Sequence, residues 1–205
     1  MVDLLKSFYY FWSRLFKGRR IQGKAHARFH FHGTILHGEC IHLGEDFTVS
    51  EGYVLACYPP QLKKGQNDNR AVEPEINIGP RFFANRFLRM YCACRIEIGA
   101  DCLIGSDVLI TDNDHGINLN LTGVPYREQP LTSSPVTIGK NVWIGEKVCI
   151  LKGVKIGDNC VIGAGSVVTK SIPANCVAVG NPAKVIKRFS QETGSWMPLA
   201  PGENT

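Results

Sequence analysis

The run Thr111-Asp112-Asn113-Asp114-His115-Gly116 places an imidazole, two carboxylates and a glycine within six positions. His115 is the last of six histidines in the 205-residue chain, and the other five stand at or before residue 42. An imidazole titrates near neutrality, so it can take a proton from a hydroxyl. Asp112 or Asp114 could accept from the other ring nitrogen and fix the tautomer, and both fall on the acceptor side of such a site. Gly116 would let the backbone bend sharply beside the ring. Position alone leaves a second reading open, a surface histidine in a turn.

His26, His30, His32, His37 and His42 invite a metal instead. Their spacings of four, two, five and five do not recur at the interval that would align ligands on one face. His115 has no partner at such a distance, so outward-facing histidines are expected here, and no metal. Eight cysteines include no Cys-x-x-Cys pair, and Cys92-Ala93-Cys94 lacks further ligands nearby. Reduced thiols in a core, and a cytoplasmic protein, are the expectation.

The elements that would position His115 are announced by a six-residue beat. Ile138, Ile144, Ile150, Ile156 and Ile162 stand six apart, Val168 keeps the phase, and Gly139, Gly145, Gly157 and Gly163 follow four of them. Four places after each phase residue comes a small or β-branched one: Val142, Val148, Val154, Cys160, Ser166. A helix cannot hold a strict six on one face, whereas a solenoid of short strands and corners can. In that reading the phase residue points inward and the small one turns the corner. The beat holds at Ile98, Ile104 and Ile110, and at Ile78, Ala84 and Met90, with a two-residue insertion between Cys92 and Glu97. Upstream, Phe31, Leu43, Val49 and Leu55 are in phase, with Ile35, Ile41, Phe47 and Tyr53 four places on, and His37 interrupts an apolar position. The coil is expected over 25–182, with polar, Pro-rich excursions near 58–75 and 116–135. The second excursion leaves the coil at His115.

Residues 3–20 differ. Leu4, Leu5, Phe8, Phe11, Trp12, Leu15 and Phe16 fall at helical spacing, with Lys6, Arg14, Lys17, Arg19 and Arg20 among them. Within the segment 1–24 this predicts an amphipathic helix, which either caps the solenoid or rests peripherally on anionic lipid. A short basic helix is expected from Pro182 to Phe189, then a loose tail, within 183–205. No stretch approaches the ~20 apolar residues of a spanning helix. The formal charge of +5 suits an anionic ligand, but no basic-aromatic stripe argues for nucleic acid.

From Ile78 to Ile186 the chain resembles the hexapeptide-repeat acyltransferases, in particular the galactoside, maltose and bacterial surface-polysaccharide O-acetyltransferases. The likeness is carried by Ile78-Gly79-Pro80-Arg81-Phe82-Phe83-Ala84-Asn85, by Thr111-Asp112-Asn113-Asp114-His115, and by 135–187. That last segment includes Val142-Trp143-Ile144-Gly145, Ile162-Gly163-Ala164-Gly165-Ser166 and Gly180-Asn181-Pro182-Ala183. The resemblance implies an all-β fold, a left-handed parallel β-helix, and a homotrimer with sites at subunit interfaces. It implies acetyl-CoA as co-substrate, lying in a groove between neighbouring coils, and a sugar or glycan acceptor in O-antigen, capsule or exopolysaccharide synthesis.

His115 matches the family's catalytic base, acting on the acceptor hydroxyl without an acyl-enzyme. The absence of an adjoining Ser or Cys agrees with that route. Asn85 matches an asparagine that binds the sugar, and Trp143 a tryptophan at the same site. Tyr126 and Arg127 on the excursion are candidate sugar contacts. The amides of Gly145 and Glu146 are candidate oxyanion donors beside the thioester. Ala164, Thr169, Lys170, Lys184 and Lys187 match coenzyme A contacts; relatives often carry arginine at the last two, so charge is kept while bidentate phosphate contact is lost. Two other readings stand beside this one. An N-acetyltransferase acting on a nucleotide-linked amino sugar would give a base-stable amide. A non-catalytic scaffold would be indifferent to His115→Ala and to coenzyme A.

Overall fold

The computed structural model describes residues 22, 26–30, 32–58, 73–121 and 123–199. Residues 3–20, and with them the amphipathic helix, lie outside that set, as does most of the excursion near 58–75. Among the described residues no helix is long and apolar enough to cross a membrane.

The chain visits three sheets in strict rotation. The first face contains Arg28–Phe29, Thr48–Val49, Phe83–Ala84, Leu103–Ile104, Trp143–Ile144, Val161–Ile162 and Cys176–Gly180. The second contains Thr34–Leu36, Val54–Cys57, Arg89–Cys92, Leu109–Thr111, Cys149–Ile150 and Val167–Val168. The third contains Ile41–Leu43, Glu75–Ile78, Arg95–Ile98, Val136–Ile138 and Lys155–Ile156. All pairings among these strands are parallel, so each coil sits in register on the last. The phase residues stack in an apolar column on each face: Ile104, Ile144 and Ile162 on the first and Ile110 and Ile150 on the second are fully buried. A solenoid gains its core by such stacking, each coil covering its neighbour.

The corners divide the labour differently from the expectation. Residues four places after the phase residue point inward: Val142, Val148, Val154, Cys160 and Ser166 are all buried. The turn is made one residue earlier, in the left-handed region, by Arg81, Asp101, Asn141, Asn159 and Asn175 between the third and first faces. Gly52, Phe87, Asp107, Lys147 and Gly165 do the same between the first and second. Asn and Asp tolerate that conformation best among residues with a side chain. Asn141, Asn159 and Asn175 also bond side chain to side chain at 2.9 Å, which locks three stacked corners together. All eight cysteines are free thiols. Burial pushes the Cys102 and Cys160 thiols above their ordinary range, so they act as neutral corner fillers.

Two expectations are corrected. In the first coil Phe29 pairs with Val49 and Ile35 with Leu55, so the phase lies two residues earlier than Phe31 and His37. Phe31 itself lies outside the described residues; His37 occupies a left-handed turn before the 3-10 segment Gly38–Cys40, where the two residues are recovered. Residues Ala183–Ser190 form a strand, not a helix. It runs antiparallel to Cys176–Gly180 and pairs with Ser195–Pro198, extending the first face and occupying part of the anticipated loose tail. Ala183 and Val185 are buried and Lys184 exposed, the alternation of a strand with one covered face.

Insertions are confined to one corner. From the first face to the second, and from the third to the first, phase residues stand six apart throughout. From the second to the third, Ile35 to Leu43 spans 8, Leu55 to Ile78 spans 23, Met90 to Ile98 spans 8 and Ile110 to Ile138 spans 28. His115 belongs to the last of these.

Candidate active site

The strand Leu109–Thr111 ends on Asp112, whose side chain is fully buried. Its carboxylate accepts from the amides of Ala93 at 2.7 Å and Cys94 at 2.8 Å. Asn113–Asp114 then pairs antiparallel with Thr132–Ser133, forming a short stalk. Asp114 Oδ2 lies 3.0 Å from Lys152 Nζ. The Asp112 carboxylate is thus buried and taken up by these amides, and Asp114 is engaged by a lysine. His115 follows the stalk and is exposed. Gly116 is required for closeness and not for an unusual φ: a Cβ there would sit 2.8 Å from the Pro130 carbonyl oxygen. Beyond it the excursion folds around Gln129, which is buried and bonds the Asn118 amide and the Asn118 and Val124 carbonyls. Tyr126 and Arg127 lie on its 3-10 turn, both exposed, with Arg127 3.2 Å from Glu128.

The other sequence-derived residues gather on the first face. A groove of about 640 Å³ is lined by Asn85, Leu103, Gly105, Trp143, Gly145, Glu146, Val161, Gly163 and Ala164. Its floor is narrow because glycines let successive coils approach: a Cβ on Gly145 would meet the Ala164 nitrogen at 2.7 Å. Trp143 projects outward, 54% exposed, between Leu103 and Val161. The groove therefore crosses the edges of several coils instead of running between two. The Gly145 amide donates to the Ile162 carbonyl at 2.8 Å and is not free for an oxyanion, which leaves the Glu146 amide as the candidate.

The register continues this groove to the C-terminal hairpin. Asn85, Gly105, Gly145, Gly163, Val179 and Lys184 follow one another across neighbouring strands. Five steps at ~4.8 Å give a track of about 24 Å from the carboxamide to the lysine. Lys187 pairs with Val177 on the same face. Thr169 and Lys170 do not join them; both are exposed just past Val167–Val168 on the second face, at the corner from which His115 also emerges. The candidate residues thus fall into two groups. His115, Thr169 and Lys170 sit at the corner between second and third faces, while Asn85, Trp143, Glu146, Ala164, Lys184 and Lys187 sit along the first face.

Of the N-terminal histidines, His26 and His37 occupy turns and His42 lies in the strand Ile41–Leu43, with His26 3.7 Å from Asp46, His37 3.3 Å from Glu39 and His42 3.2 Å from Glu75. Among the described residues no three His, Cys, Asp or Glu side chains converge as a metal-ligand set. Lys152 escaped the sequence reading. The signal for it was register: it stands two residues past Ile150 as Asp112 stands two past Ile110, and Ile110 pairs with Ile150.

The pattern described as "Bacterial transferase hexapeptide (six repeats)" matches residues 135–170, and "Hexapeptide repeat of succinyl-transferase" matches 95–119. A protein of Escherichia coli (strain K12) named "Putative lipopolysaccharide biosynthesis O-acetyl transferase" is 37% identical over 161 residues, spanning 76% of each chain. A galactoside acetyltransferase solved in complex with coenzyme A is 27% identical with a TM-score of 0.52, over 89% of this chain and 73% of that one. An N-acyltransferase from Bacillus cereus shares the fold at a TM-score of 0.66 and 18% identity, over 88% of this chain and 91% of that one.

Proposed function

The chain belongs to the hexapeptide-repeat acyltransferase family, and on that premise we propose that it transfers an acetyl group from acetyl-CoA to a sugar hydroxyl. The acceptor we assign is a glycan of bacterial surface polysaccharide, acted on in the cytoplasm. The observation that carries the reading is the track from Asn85 to Lys184 on the first face. Its middle is floored by Gly105, Gly145 and Gly163 and flanked by Leu103, Trp143 and Val161, as a pantetheine arm needs, and its far end carries two exposed lysines that answer phosphate charge.

In this reading coenzyme A lies along the track with its phosphates toward Lys184 and Lys187. Its thioester lies near Trp143 and Glu146. The sugar binds at Asn85, whose carboxamide donates to one oxygen and accepts from another. His115 removes the hydroxyl proton as the oxygen attacks the thioester carbonyl. The Glu146 amide stabilises the oxyanion, and collapse expels the coenzyme A thiolate, which takes the proton back from the imidazolium. The products are an acetyl ester and free coenzyme A. A positioned base of this kind contributes about 10²–10⁴-fold.

His115 and Asn85 occupy different faces of one chain, so the reading requires two copies. The coil at 25–182 is left-handed, and three prisms close into a ring. Each places its second-to-third corner, with His115, Thr169 and Lys170, against the first face of the next. Such a head-to-tail contact closes when the rotation per copy is a third of a turn. Both surfaces have the apolar character of an interface: Ile117 and Leu119 on the excursion are 80% and 79% exposed, facing the role of partner to Phe83, Leu103 and Trp143. Tyr126 and Arg127 then reach the acceptor from the neighbouring copy.

The test is thiol release from acetyl-CoA with p-nitrophenyl β-D-galactopyranoside and a panel of surface glycans. Release that depends on acceptor and on His115, with a base-labile product, supports the reading. A base-stable product would convert it to amine transfer, and release unaffected by His115→Ala would end it.

A further inference from the structure

The loop that carries His115 is fastened to the coil on both sides by groups the transfer chemistry does not use. On the upstream side, Asp112 Oδ1 accepts from Ala93 N at 2.7 Å and Asn113 Nδ2 at 2.9 Å. Its Oδ2 accepts from Cys94 N at 2.8 Å and the Cys92 thiol at 3.3 Å. A buried carboxylate is tolerated only when paired in this way. Ala93 and Cys94 are the residues inserted at this same corner one coil earlier. The carboxylate therefore fills the concavity that their turn creates. The Cys92 thiol remains protonated and able to donate. Its hydrogen bond with Cys57, its burial and the Asp112 charge all push it far above the ordinary thiol range.

On the downstream side stands Lys152. Its Nζ lies 3.0 Å from Asp114 Oδ2 and 2.7 Å from Thr132 Oγ1. Asp114 and Thr132 are cross-strand partners in the stalk, so one ammonium joins both legs. The backbone adds Ser134 N to Asp112 O at 2.8 Å and Gly153 N to Ser134 O at 3.0 Å. His115 is the next residue after Asp114, and Gly116 beyond it is packed against Gln129 and Pro130.

We propose that Asp112 and Lys152 are positioning residues that clamp the stalk between the preceding and following coils, so that the His115 ring meets the acceptor in one orientation. The proposal rests on His115 being the base. Neither residue lines the first-face groove, so the clamp acts on the base and leaves that groove alone.

The full chain is assayed as Lys152→Met, Lys152→Arg and Asp112→Asn, with acetyl-CoA and p-nitrophenyl β-D-galactopyranoside, and by hydrogen–deuterium exchange. Lys152→Met is expected to lower kcat roughly 10–100-fold, as small misplacements of a catalytic group do, with KM for acetyl-CoA unchanged within about twofold. Amides of 113–118 and 131–134 should exchange faster while those of 143–144 and 161–162 stay protected. Lys152→Arg should recover most of the rate. Asp112→Asn sets an NH₂ against the Cys94 amide or the Cys92 thiol and should have the larger effect. If it fails to fold, the Lys152 pair decides, because that side chain is one-third exposed and its removal spares the core. Unchanged kcat in Lys152→Met overturns the proposal, as does a fall in kcat matched by a rise in KM for acetyl-CoA. Full activity of His115→Ala would overturn the underlying reading instead; faster exchange in Lys152→Met would then show a clamp on a loop without a base.

Discussion

The corner joining the first face to the second and the corner joining the second to the third are built from the same hexapeptides, yet only the latter changes length. The former keeps six residues in every coil and turns through a left-handed residue, from Gly52 to Gly165. The latter absorbs the two-residue insertion at Ala93-Cys94 and the whole excursion bearing His115. Stacking explains the contrast. A corner whose neighbours above and below are in van der Waals contact has no room for an extra residue, and a Cβ on Gly105 would already meet Glu146 N at 2.7 Å. Once one coil bulges, the next can bulge against it, as Asp112 does against Ala93 and Cys94. Insertions then collect at one edge, and the groove from Asn85 to Ala164 lies on the face whose two corners have none.

The comparison breaks most sharply if the variable corner proves inert. His115→Ala should lower kcat by about 10²–10⁴-fold while the melting temperature stays within a few degrees, because the ring is exposed. The converse holds on the invariant side. Ile144→Ala empties a fully buried site and should cost about 2–5 kcal/mol in denaturant unfolding. On the groove, Lys184→Gln with Lys187→Gln should raise KM for acetyl-CoA roughly tenfold with little change in kcat, an effect that shrinks as salt rises. The smallest effect is at the corners themselves. Lys147 has φ 57°, so Lys147→Gly should stabilise by about 0.5–1 kcal/mol. Gly153 has φ 78°, so Gly153→Ala should destabilise by about 1–2 kcal/mol.

Much of this was written in the sequence. The isoleucine column from Ile78 to Ile162 and the excursion at 116–135 follow from the beat, because a six-residue period admits few other folds. Four things were hidden, each for a physical reason. In the first coil two residues taken up at the 3-10 turn Gly38–Cys40 shift Phe29 and Ile35 out of the expected count, and a fixed six-residue beat cannot register a turn of that kind. The basic run after Pro182 reads as a helix by composition, but an open edge of the first face stands beside it, and pairing with Cys176–Gly180 overrides local propensity. The fates of Asp112 and Lys152 were invisible because both are decided by contacts across coils, from Asp112 to Ala93 and Cys94 and from Lys152 to Thr132 and Asp114. Asn85 and His115, adjacent in the functional reading, sit on separate faces, and no local pattern reveals that.

That separation gives the most direct measurement. His115→Ala and Asn85→Ala with Trp143→Ala are each prepared as inactive proteins, then co-expressed in equal amounts and assayed for acetyl-CoA thiol release. If each site joins the second-to-third corner of one copy to the first face of another, random assembly restores roughly a quarter of the sites, and about that share of wild-type activity returns. If mixing restores nothing although mixed oligomers are shown to form, base and groove do not meet between chains, and the two-copy site is wrong.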